Sequence, residues 1–356
     1  MKAIPAPIQI SALDFSGEKW EAAKTKTSSP RCAQAPASSL LPNSFSDSNR
    51  NDNACDMSPP KALHGRIEQL SLSDQLSNIL LVVNLIAAAQ MNSSADKAAN
   101  LASASELVEQ AARIGCALIA FPENFSWMGP ESQREAAAET LQGPTLSEMA
   151  ELAQRHHLMI LAGSILEKGA PDNRLYNTSV LFDDQGVQRA RYRKIHLFDA
   201  ELPDGTSYRE SSAIAPGEEV VTVTTPLGRL GLSICYDLRF PELYRQMADQ
   251  QVSLILVPSA FTATTGRDHW EVLLRARAIE NQSYVLAPAQ VGFHGREGNL
   301  QRRTYGHAMM IDPWGVVVAT VTEGSEAAPA LAVGPIDALK MSQIRSQLPS
   351  LKHRRL

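Results

Sequence analysis

The chain has 356 residues, of which 44% are hydrophobic and 20% are charged, and its formal net charge at pH 7 is −5. This balance is typical of a globular protein with a sizeable core. It argues against a nucleic-acid partner and against binding to an anionic membrane surface, because either would favour a basic footprint. No apolar run has the length of a membrane-spanning helix.

The N-terminal 77 residues differ in composition from the rest of the chain. The stretch 28–60 is dominated by Ser, Pro, Asn, Asp and Ala, so it has too little apolar surface to offset the entropy of ordering. We therefore predict a disordered or low-complexity extension over residues 1–77 and one folded domain over residues 78–356. The first residues match neither a secretory signal nor a transit peptide, and we expect no targeting address.

Four cysteines are scattered along the chain without a CxxC pair or a spacing suited to metal ligands: Cys32, Cys55, Cys116 and Cys235. A disulfide framework and a metal centre are therefore not expected. A free reactive thiol favours a reducing compartment, so we expect a cytoplasmic protein.

From residue 78 onward the pattern alternates strands and helices. ILLVVNLIAAAQ predicts a buried strand, and SASELVEQAARIG predicts a helix, with Ser103 and Glu106 at capping-box spacing and Gly115 at its end. The strand CALIAFPE, the helix TLSEMAELAQRHH and the strand LMILAGSIL follow. RLYNTSVLFDDQGVQRARYRK then predicts two strands joined by a turn at residues 184–186.

The second half continues in the same way. GRLGLSIC, SLILVPS and YVLAPAQ are predicted strands, separated by the helices PELYRQMADQ and HWEVLLRARAIEN. HAMMIDPWGVVVATV predicts a hairpin that turns at residues 313–315. Strands in mixed order with helices between them predict an α/β layered sandwich.

Three reactive side chains lie at or just beyond the ends of predicted buried strands. Glu123 follows CALIAFP, Lys194 follows ARYR, and Cys235 ends RLGLSI. An α/β sheet presents its ligand crevice at strand ends. We therefore expect the three groups to meet in one pocket.

Cys235 stands where a strand gives way to Tyr236-Asp237, shortly before a helix begins near Pro241. A sharp strand-to-helix turn lifts a side chain out of the sheet, as in other nucleophile elbows. It also aims backbone N–H groups, such as that of Tyr236, toward a developing oxyanion. The alternative interpretation is a buried cysteine that acts as a small hydrophobic residue.

Glu123 and Lys194 also allow two interpretations each. Glu123, in FPEN, is either a cap or a buried base whose pKa is raised by desolvation. Lys194, in RYRKIHLF, is either part of a solvated basic edge with Arg191 and Arg193 or a buried amine. The apolar sequence that follows Lys194 favours burial.

Together the three side chains form a consistent set. A thiol with a free pKa of about 8.5 requires activation, and a neighbouring carboxylate accepts its proton during attack. A buried ammonium offsets the charge of that carboxylate and stabilises a tetrahedral oxyanion. No single member of the set is diagnostic, but the set as a whole is.

The chain resembles the nitrilase superfamily of carbon–nitrogen hydrolases, whose catalytic set is Glu-Lys-Cys. The matching strings are FPENFSWMG around Glu123, YRKIHLFD around Lys194 and GLSICYDLRFPE around Cys235. HWEVLLRARAIEN and YGHAMMIDPWGVVVA match as well. All occur in the family's order and with family-like spacing, from about residue 79 to the C-terminus, so residues 1–77 lie outside the resemblance.

This resemblance implies a four-layer αββα subunit that pairs into a homodimer and needs no metal or organic cofactor. It implies that Glu123 deprotonates Cys235, whose sulfur attacks an amide carbonyl while Lys194 helps to bind the oxyanion. Water activated by the same glutamate then hydrolyses the thioester. A second glutamate is implied to hold the lysine; Glu210 matches that position, and Glu201 is the alternative.

Other residues near these motifs carry weaker expectations. Phe261 and Thr262 follow the strand SLILVPS and, with Tyr236, are expected to contact the substrate. Asp237 and Arg239 are expected to support the elbow through hydrogen bonds.

Several polar side chains are expected to have structural roles. The helix-spaced cluster at HWEVLLRARAIEN favours ion pairing over catalysis. For His196 we expect a hydrogen bond in the core or behind the site, and His307 lies within possible reach of the pocket without a role that the resemblance assigns. The cluster consists of His269, Trp270, Arg275, Arg277 and Glu280.

Within the superfamily, HWEVLLRARAIE followed by YGHAMMIDPWG looks most like the branch acting on deaminated glutathione, in which the α-amino group of glutathione has become a keto group. That resemblance implies a small-molecule amide substrate and hydrolysis to 2-oxoglutarate and cysteinylglycine, a metabolite-repair reaction. The alternatives are an ω-amidase acting on 2-oxoglutaramate and a non-enzymatic binding protein with the same fold. A thiol oxidoreductase would need a resolving cysteine near Cys235, and none is close in sequence.

Overall fold

The computed structural model describes residues 83–201, 205–297, 300–321 and 329–355. The predicted extension over residues 1–77 and the start of the first predicted strand lie outside these residues. None of the described helices is long and apolar enough to cross a membrane.

The described residues form two larger sheets and a two-stranded ribbon, with helices between many of the strands. The helices are α1 (Lys97–Ile114), α2 (Arg134–Ala137), α3 (Pro144–His156), α4 (Pro241–Asp249), α5 (Ala263–Asn281) and α6 (Ala338–Gln347). Short 3₁₀ turns span Glu131–Gln133, Pro171–Asn173, Glu210–Ser212, Cys235–Arg239 and Ser350–His353. The strands are β1 (Asn84–Met91), β2 (Cys116–Ala120), β3 (Met159–Glu167), β4 (Tyr176–Phe182), β5 (Gln188–Arg193), β6 (Asp199–Glu201), β7 (Ser207–Arg209), β8 (Thr222–Thr225), β9 (Gly228–Leu232), β10 (Leu254–Leu256), β11 (Tyr284–Ala287), β12 (Ala289–Glu297), β13 (Leu300–Tyr305), β14 (Met309–Ile311), β15 (Val317–Thr320) and β16 (Ala330–Ile336).

The larger sheet has the strand order β13-β12-β1-β2-β3-β4-β5, and β16 pairs antiparallel with β1. Its central strands β1, β2 and β3 are parallel neighbours. The smaller sheet has the order β15-β14-β11-β10-β9-β8, with β9, β10 and β11 parallel at its centre. Each sheet therefore has parallel strands at its centre and antiparallel strands at its edges. The loops that follow the parallel strands lie on one side of the sheet.

Alternate residues of the larger sheet face two different cores, because successive strand side chains point to opposite faces. Ala87 and Ile119 join buried residues of α1 and α3. Ile86 and Leu118 join a second core with the smaller sheet and with α4 and α5, where Tyr244 is buried. The layers follow the order helix, sheet, sheet, helix, as the resemblance implied.

Most predicted elements are confirmed, including the turns at residues 184–186 and 313–315. The first helix begins six residues earlier than predicted, because the side chain of Asp96 accepts a hydrogen bond from the Ala99 amide and caps it. Ser103 therefore lies inside the helix, whereas Gly115 ends it as predicted, in the left-handed conformation with φ +84°. The sequence analysis missed the β6–β7 ribbon, β8, the β12–β13 hairpin, β16 and α6.

Candidate active site

Glu123, Lys194 and Cys235 line one cavity of about 720 Å³, measured out to its open mouth. Glu123 follows β2, Lys194 comes directly after β5, and Cys235 follows β9. Their relative exposures are only 2%, 2% and 7%. The two sheets thus bring a carboxylate, an amine and a thiol from distant parts of the chain into one shielded pocket.

The ammonium group of Lys194 lies between two carboxylates. Its Nζ is 2.9 Å from Oε1 of Glu123 and 2.9 and 3.0 Å from the two carboxylate oxygens of Glu210. Burial alone would lower the pKa of Lys194, but the charges of Glu123 and Glu210 hold that pKa above its ordinary value. Lys194 is therefore a permanent cation in this pocket.

Glu210 begins a 3₁₀ turn and is fixed from two sides. Besides its contact with Lys194, its Oε2 accepts a hydrogen bond from the backbone N–H of Phe198 at 2.6 Å. The alternative glutamate, Glu201, lies elsewhere: its side chain is exposed and pairs with Arg209 at 2.8 Å. Of the two glutamates, Glu210 is the one that holds the lysine.

Asn177, on β4, is a further member of the cluster that the sequence analysis missed. Its side-chain amide donates to Oε1 of Glu123 at 2.9 Å and reaches Oε1 of Glu210 at 3.3 Å. Its backbone carbonyl accepts from the N–H of Lys194 at 2.9 Å. The available signal was a polar residue in an otherwise buried strand, because such a residue needs a partner.

The two carboxylate oxygens of Glu123 differ in their contacts. Oε1 accepts hydrogen bonds from Lys194 and Asn177, whereas Oε2 is buried and has no conventional hydrogen-bond partner among the described residues. Burial alone would raise the pKa of Glu123, but the charges of Lys194 and Arg302 hold that pKa below its ordinary value. The expectation of a raised pKa was therefore wrong, because desolvation is outweighed by the neighbouring cations.

Cys235 occupies a strained turn at the end of its strand segment. Its φ is +48°, a left-handed conformation that is uncommon outside glycine. Burial raises the pKa of the Cys235 thiol, Glu123 adds to that effect, and Lys194 opposes it. The resting pair is therefore a neutral thiol beside a carboxylate rather than a thiolate.

The elbow is held by Asp237, as expected. The buried carboxylate of Asp237 accepts from the N–H of Ile234 at 2.8 Å and from the hydroxyl of Tyr192 at 2.7 Å. It also contacts the backbone N–H of His196 at 3.0 Å and its ring Nδ1 at 2.7 Å. Asp237 therefore ties the cysteine turn to the segment that carries Lys194, and the prediction that His196 makes a hydrogen bond behind the site is confirmed.

The remaining expected pocket residues separate into two groups. Tyr236, Phe261 and Thr262 line the cavity, and Arg239 lines it too, with its guanidinium 3.2 Å from Nδ1 of His269. Arg239 is therefore part of the cavity wall, and its guanidinium lies 5.7 Å from the centre of the Tyr236 ring in the elbow. His307 is not among the cavity-lining residues; its ring stacks on Tyr305.

The polar cluster on α5 makes the structural contacts that were predicted. Arg277 pairs with Glu280 at 3.0 Å, and Arg275 donates to the carbonyl of Gly315. The indole of Trp270 donates to the carbonyl of His307 at 2.9 Å. Among the residues that the structure describes, no group of three or more His, Cys, Asp or Glu side chains is arranged to hold a metal ion.

The loop that presents Glu123 needs close backbone packing. The side-chain amide of Gln290 donates to the carbonyl of Glu123 at 3.1 Å. At Gly163 an added Cβ would lie 1.9 Å from the carbonyl oxygen of Pro122, so only glycine fits there. The loop that carries the carboxylate is thus positioned by β12, which neighbours β1, and by β3, which neighbours β2.

Comparison with known proteins agrees with this geometry. Residues 85–346 match the family model described as carbon-nitrogen hydrolase. The chain is 45% identical over 273 residues to a deaminated glutathione amidase of Synechocystis, which covers 76% of this chain and 97% of the relative. It is 41% identical to the human deaminated glutathione amidase, over 76% of this chain and 82% of the relative. The crystal structure of Saccharomyces cerevisiae Nit3, a member of branch 10 of the nitrilase superfamily, superposes with a TM-score of 0.66 at 30% identity, covering 77% and 97% of the two chains.

The αββα sandwich is the nitrilase fold. One cavity in it holds a buried carboxylate, an amine and a thiol, and this combination defines a thiol-containing hydrolase. The chain belongs to the carbon–nitrogen hydrolase family, and it is an enzyme that hydrolyses amides. The superfamily resemblance seen in the sequence is confirmed, and among the branches the chain is similar to deaminated glutathione amidases.

Proposed function

We propose that the protein is an amidase that cleaves deaminated glutathione, with Cys235 as nucleophile, Glu123 as general base and Lys194 as oxyanion partner. The observation that carries this proposal is that the two carboxylate oxygens of Glu123 have different contacts. One oxygen is occupied by Lys194 and Asn177, and the other has no conventional hydrogen bond although the same carboxylate contacts the thiol. That second oxygen is left to accept the proton of Cys235.

Acylation begins when the sulfur of Cys235 attacks the amide carbonyl carbon and its proton passes to Glu123. A carbon–sulfur bond forms, and the carbonyl oxygen becomes an oxyanion beside the Lys194 ammonium. The backbone N–H of Tyr236, the residue that follows the nucleophile, is expected to assist. When the carbon–nitrogen bond breaks, Glu123 returns the proton to the departing amine.

Deacylation uses the same groups in the opposite order. Water attacks the thioester carbon while Glu123 accepts a proton from it, and Lys194 again faces the oxyanion. The carbon–sulfur bond breaks, and the proton on Glu123 restores the thiol. For deaminated glutathione the two products are cysteinylglycine, released first, and 2-oxoglutarate.

The substrate assignment rests on the relatives that carry this activity in their names and on the cavity. Its wall includes four arginines in addition to Lys194, which suits a substrate with two carboxylates: Arg134, Arg209, Arg239 and Arg302.

Steady-state assays with deaminated glutathione and with 2-oxoglutaramate test the assignment. The wild type is expected to prefer deaminated glutathione, and Cys235→Ala is expected to lose turnover of both. A preference for 2-oxoglutaramate would instead identify an ω-amidase, and inactivity on both would remove the substrate assignment.

We also propose a cytoplasmic homodimer. A face formed by α5 and the β14–β15 turn exposes four apolar side chains that a second copy would cover: Val272, Ile279, Trp314 and Val316. A free buried thiol at the site fits a reducing compartment. We propose neither a nucleic-acid nor a membrane partner, because the net charge is −5. Light scattering should give a dimer mass, and Val272→Glu with Trp314→Glu should give a monomer; a wild-type monomer would contradict the assembly.

A further inference from the structure

Arg302 is a cavity-lining side chain whose hydrogen bonding is incomplete. It lies on β13, in the hairpin that the sequence analysis did not predict. One terminal nitrogen, Nη2, donates to the carbonyl of Ala260 at 2.7 Å, which fixes the position of the guanidinium. Its Nε is buried and has no hydrogen-bond partner among the described residues. An unsatisfied buried N–H of a charged group is costly. Because Arg302 lines the cavity, a group bound there is the expected partner of its guanidinium.

The other arginines of the cavity have partners. Arg134 pairs with Glu131 at 3.0 Å, and Arg209 pairs with Glu201 at 2.8 Å. Arg239 contacts the ring nitrogen of His269. Arg302 differs because one of its N–H groups is enclosed without an acceptor among the described residues.

Arg302 is also close to the chemistry. The residue whose carbonyl it holds, Ala260, contacts the sulfur of Cys235 through its backbone N–H. The charge of Arg302 also helps to lower the pKa of Glu123. A group bound to this guanidinium therefore belongs to the part of the substrate near the scissile bond.

We propose that Arg302 binds a carboxylate of the substrate and selects amides of carboxylate-bearing acids over neutral amides. This inference rests on the proposed function, since deaminated glutathione carries one carboxylate on its 2-oxo acid portion and another on its glycine. An arginine fork matches a carboxylate in two parallel hydrogen bonds. Arg302 is thus a specificity-determining residue and takes no part in proton transfer.

The experiment compares the wild type with Arg302→Gln, Arg302→Lys and the neighbouring Arg303→Gln. Arg303 is a matched control, because it is exposed on the same strand and its guanidinium lies 5.4 Å from the centre of the Phe293 ring. Loss of a charge-assisted hydrogen bond is expected to raise KM for deaminated glutathione about 10- to 100-fold in Arg302→Gln. Arg302→Lys keeps the charge and should lose less, and Arg303→Gln should stay within about threefold of wild type.

A second readout is independent of turnover. Iodoacetamide alkylates Cys235, and a bound product slows that alkylation. Cysteinylglycine carries the glycine carboxylate, and 2-oxoglutarate carries the carboxylate beside the keto group together with the one that hydrolysis creates. The product whose protecting concentration rises in Arg302→Gln, relative to wild type, identifies which half of the substrate Arg302 binds. Thermal unfolding of each variant checks that the fold is intact.

Two results would overturn the inference: unchanged KM and unchanged protection by both products in folded Arg302→Gln, or equal losses in Arg303→Gln. If the wild type failed to hydrolyse deaminated glutathione and 2-oxoglutaramate, the proposed function would fall. The protection assay would still decide whether Arg302 binds a carboxylate.

Discussion

The charged cluster at the active site and the one between α4 and α5 are both largely enclosed, but their hydrogen bonds are completed differently. In the second cluster, Arg277 donates twice to the carbonyl of Leu238, at 2.7 and 3.1 Å, and pairs with Glu280. Arg245 reaches the backbone carbonyl of Glu280 at 2.6 Å. The bonds to Leu238 and from Arg245 tie α5 to neighbouring elements, as in a structural anchor, and the Arg277–Glu280 pair lies within α5.

In the first cluster, Lys194 is saturated by two carboxylates, yet Glu123 keeps a buried oxygen without a conventional partner. The thiol of Cys235 lies beside this carboxylate with its proton retained. The charged groups of the structural cluster are paired, and its unpartnered buried atom is the neutral amide oxygen of Asn281. The comparison teaches that an unpartnered carboxylate oxygen beside a thiol, more than burial or charge alone, marks the reactive cluster.

The largest effect on the reactive cluster is expected when the base is removed. Glu123→Gln keeps the size of the side chain but accepts no proton, so kcat is expected to fall roughly 10²- to 10⁴-fold. Glu201→Gln, at an exposed glutamate outside the pocket, is the matched control and should leave kcat unchanged. Activity of Glu123→Gln within a few-fold of wild type would show that this carboxylate is not the base.

Removing the cation tests both chemistry and stability. Lys194→Met leaves Glu123 and Glu210 buried without compensation, which is expected to cost about 3–5 kcal/mol of the free energy of unfolding. Loss of the oxyanion partner should lower kcat about 10²- to 10³-fold. Urea unfolding and steady-state kinetics measure the two effects. A variant that remained as stable as wild type would contradict the assigned role of Lys194 as the counter-charge.

The structural cluster should respond in stability alone. Arg277→Gln loses the two hydrogen bonds to Leu238, and we expect the free energy of unfolding to fall by about 1–3 kcal/mol. Denaturant titration measures this change, and KM for deaminated glutathione should not move. A large rise in KM without loss of stability would mean that the α5 cluster takes part in substrate binding.

The smallest expected effect concerns the pH at which kcat/KM declines. The pKa of Glu123 lies below its ordinary value of 4.5, so kcat/KM should remain high as pH falls to that value and decline only below it. The stability contributed by the ionised carboxylate has the same sign. It is fully present above the unfolded-state pKa and is lost as pH falls through the folded-state pKa.

Asn177→Asp sharpens this prediction. It places a further negative charge beside Glu123 and Glu210, which raises the pKa of Glu123 and moves the acid limb of kcat/KM to higher pH. Asn173→Asp, at an exposed position, is the control. If the acid limb of kcat/KM stayed at the same pH in Asn177→Asp, that limb would not report the ionisation of Glu123.

The sequence identifies the reactive groups better than it identifies their surroundings. Glu123, Lys194 and Cys235 were predictable because each comes directly or shortly after a predicted strand and lies in a family motif. Asn177 and Arg302 were missed because their roles depend on which strands become neighbours, and the hairpin that carries Arg302 was not predicted. The sign of the Glu123 pKa shift was missed for the same reason, since it depends on tertiary charge placement.

Helix boundaries show a local version of this difficulty. Ser103 and Glu106 have the spacing of a capping box, but the cap is Asp96, about two turns earlier. The four-layer fold was predicted correctly despite these errors. It depends on the order of the apolar strands and on which face of each strand is buried, and the alternation of buried residues specifies both.

The central claim is that hydrolysis passes through an acyl group on the sulfur of Cys235. Acid quenching of the wild type during turnover of deaminated glutathione, followed by intact-mass and peptide mass spectrometry, tests it directly. We predict a 2-oxoglutaryl adduct on the peptide that contains Cys235, formed before 2-oxoglutarate appears and absent in Cys235→Ala. Undiminished hydrolysis by Cys235→Ala, or an adduct on another residue, would contradict the account.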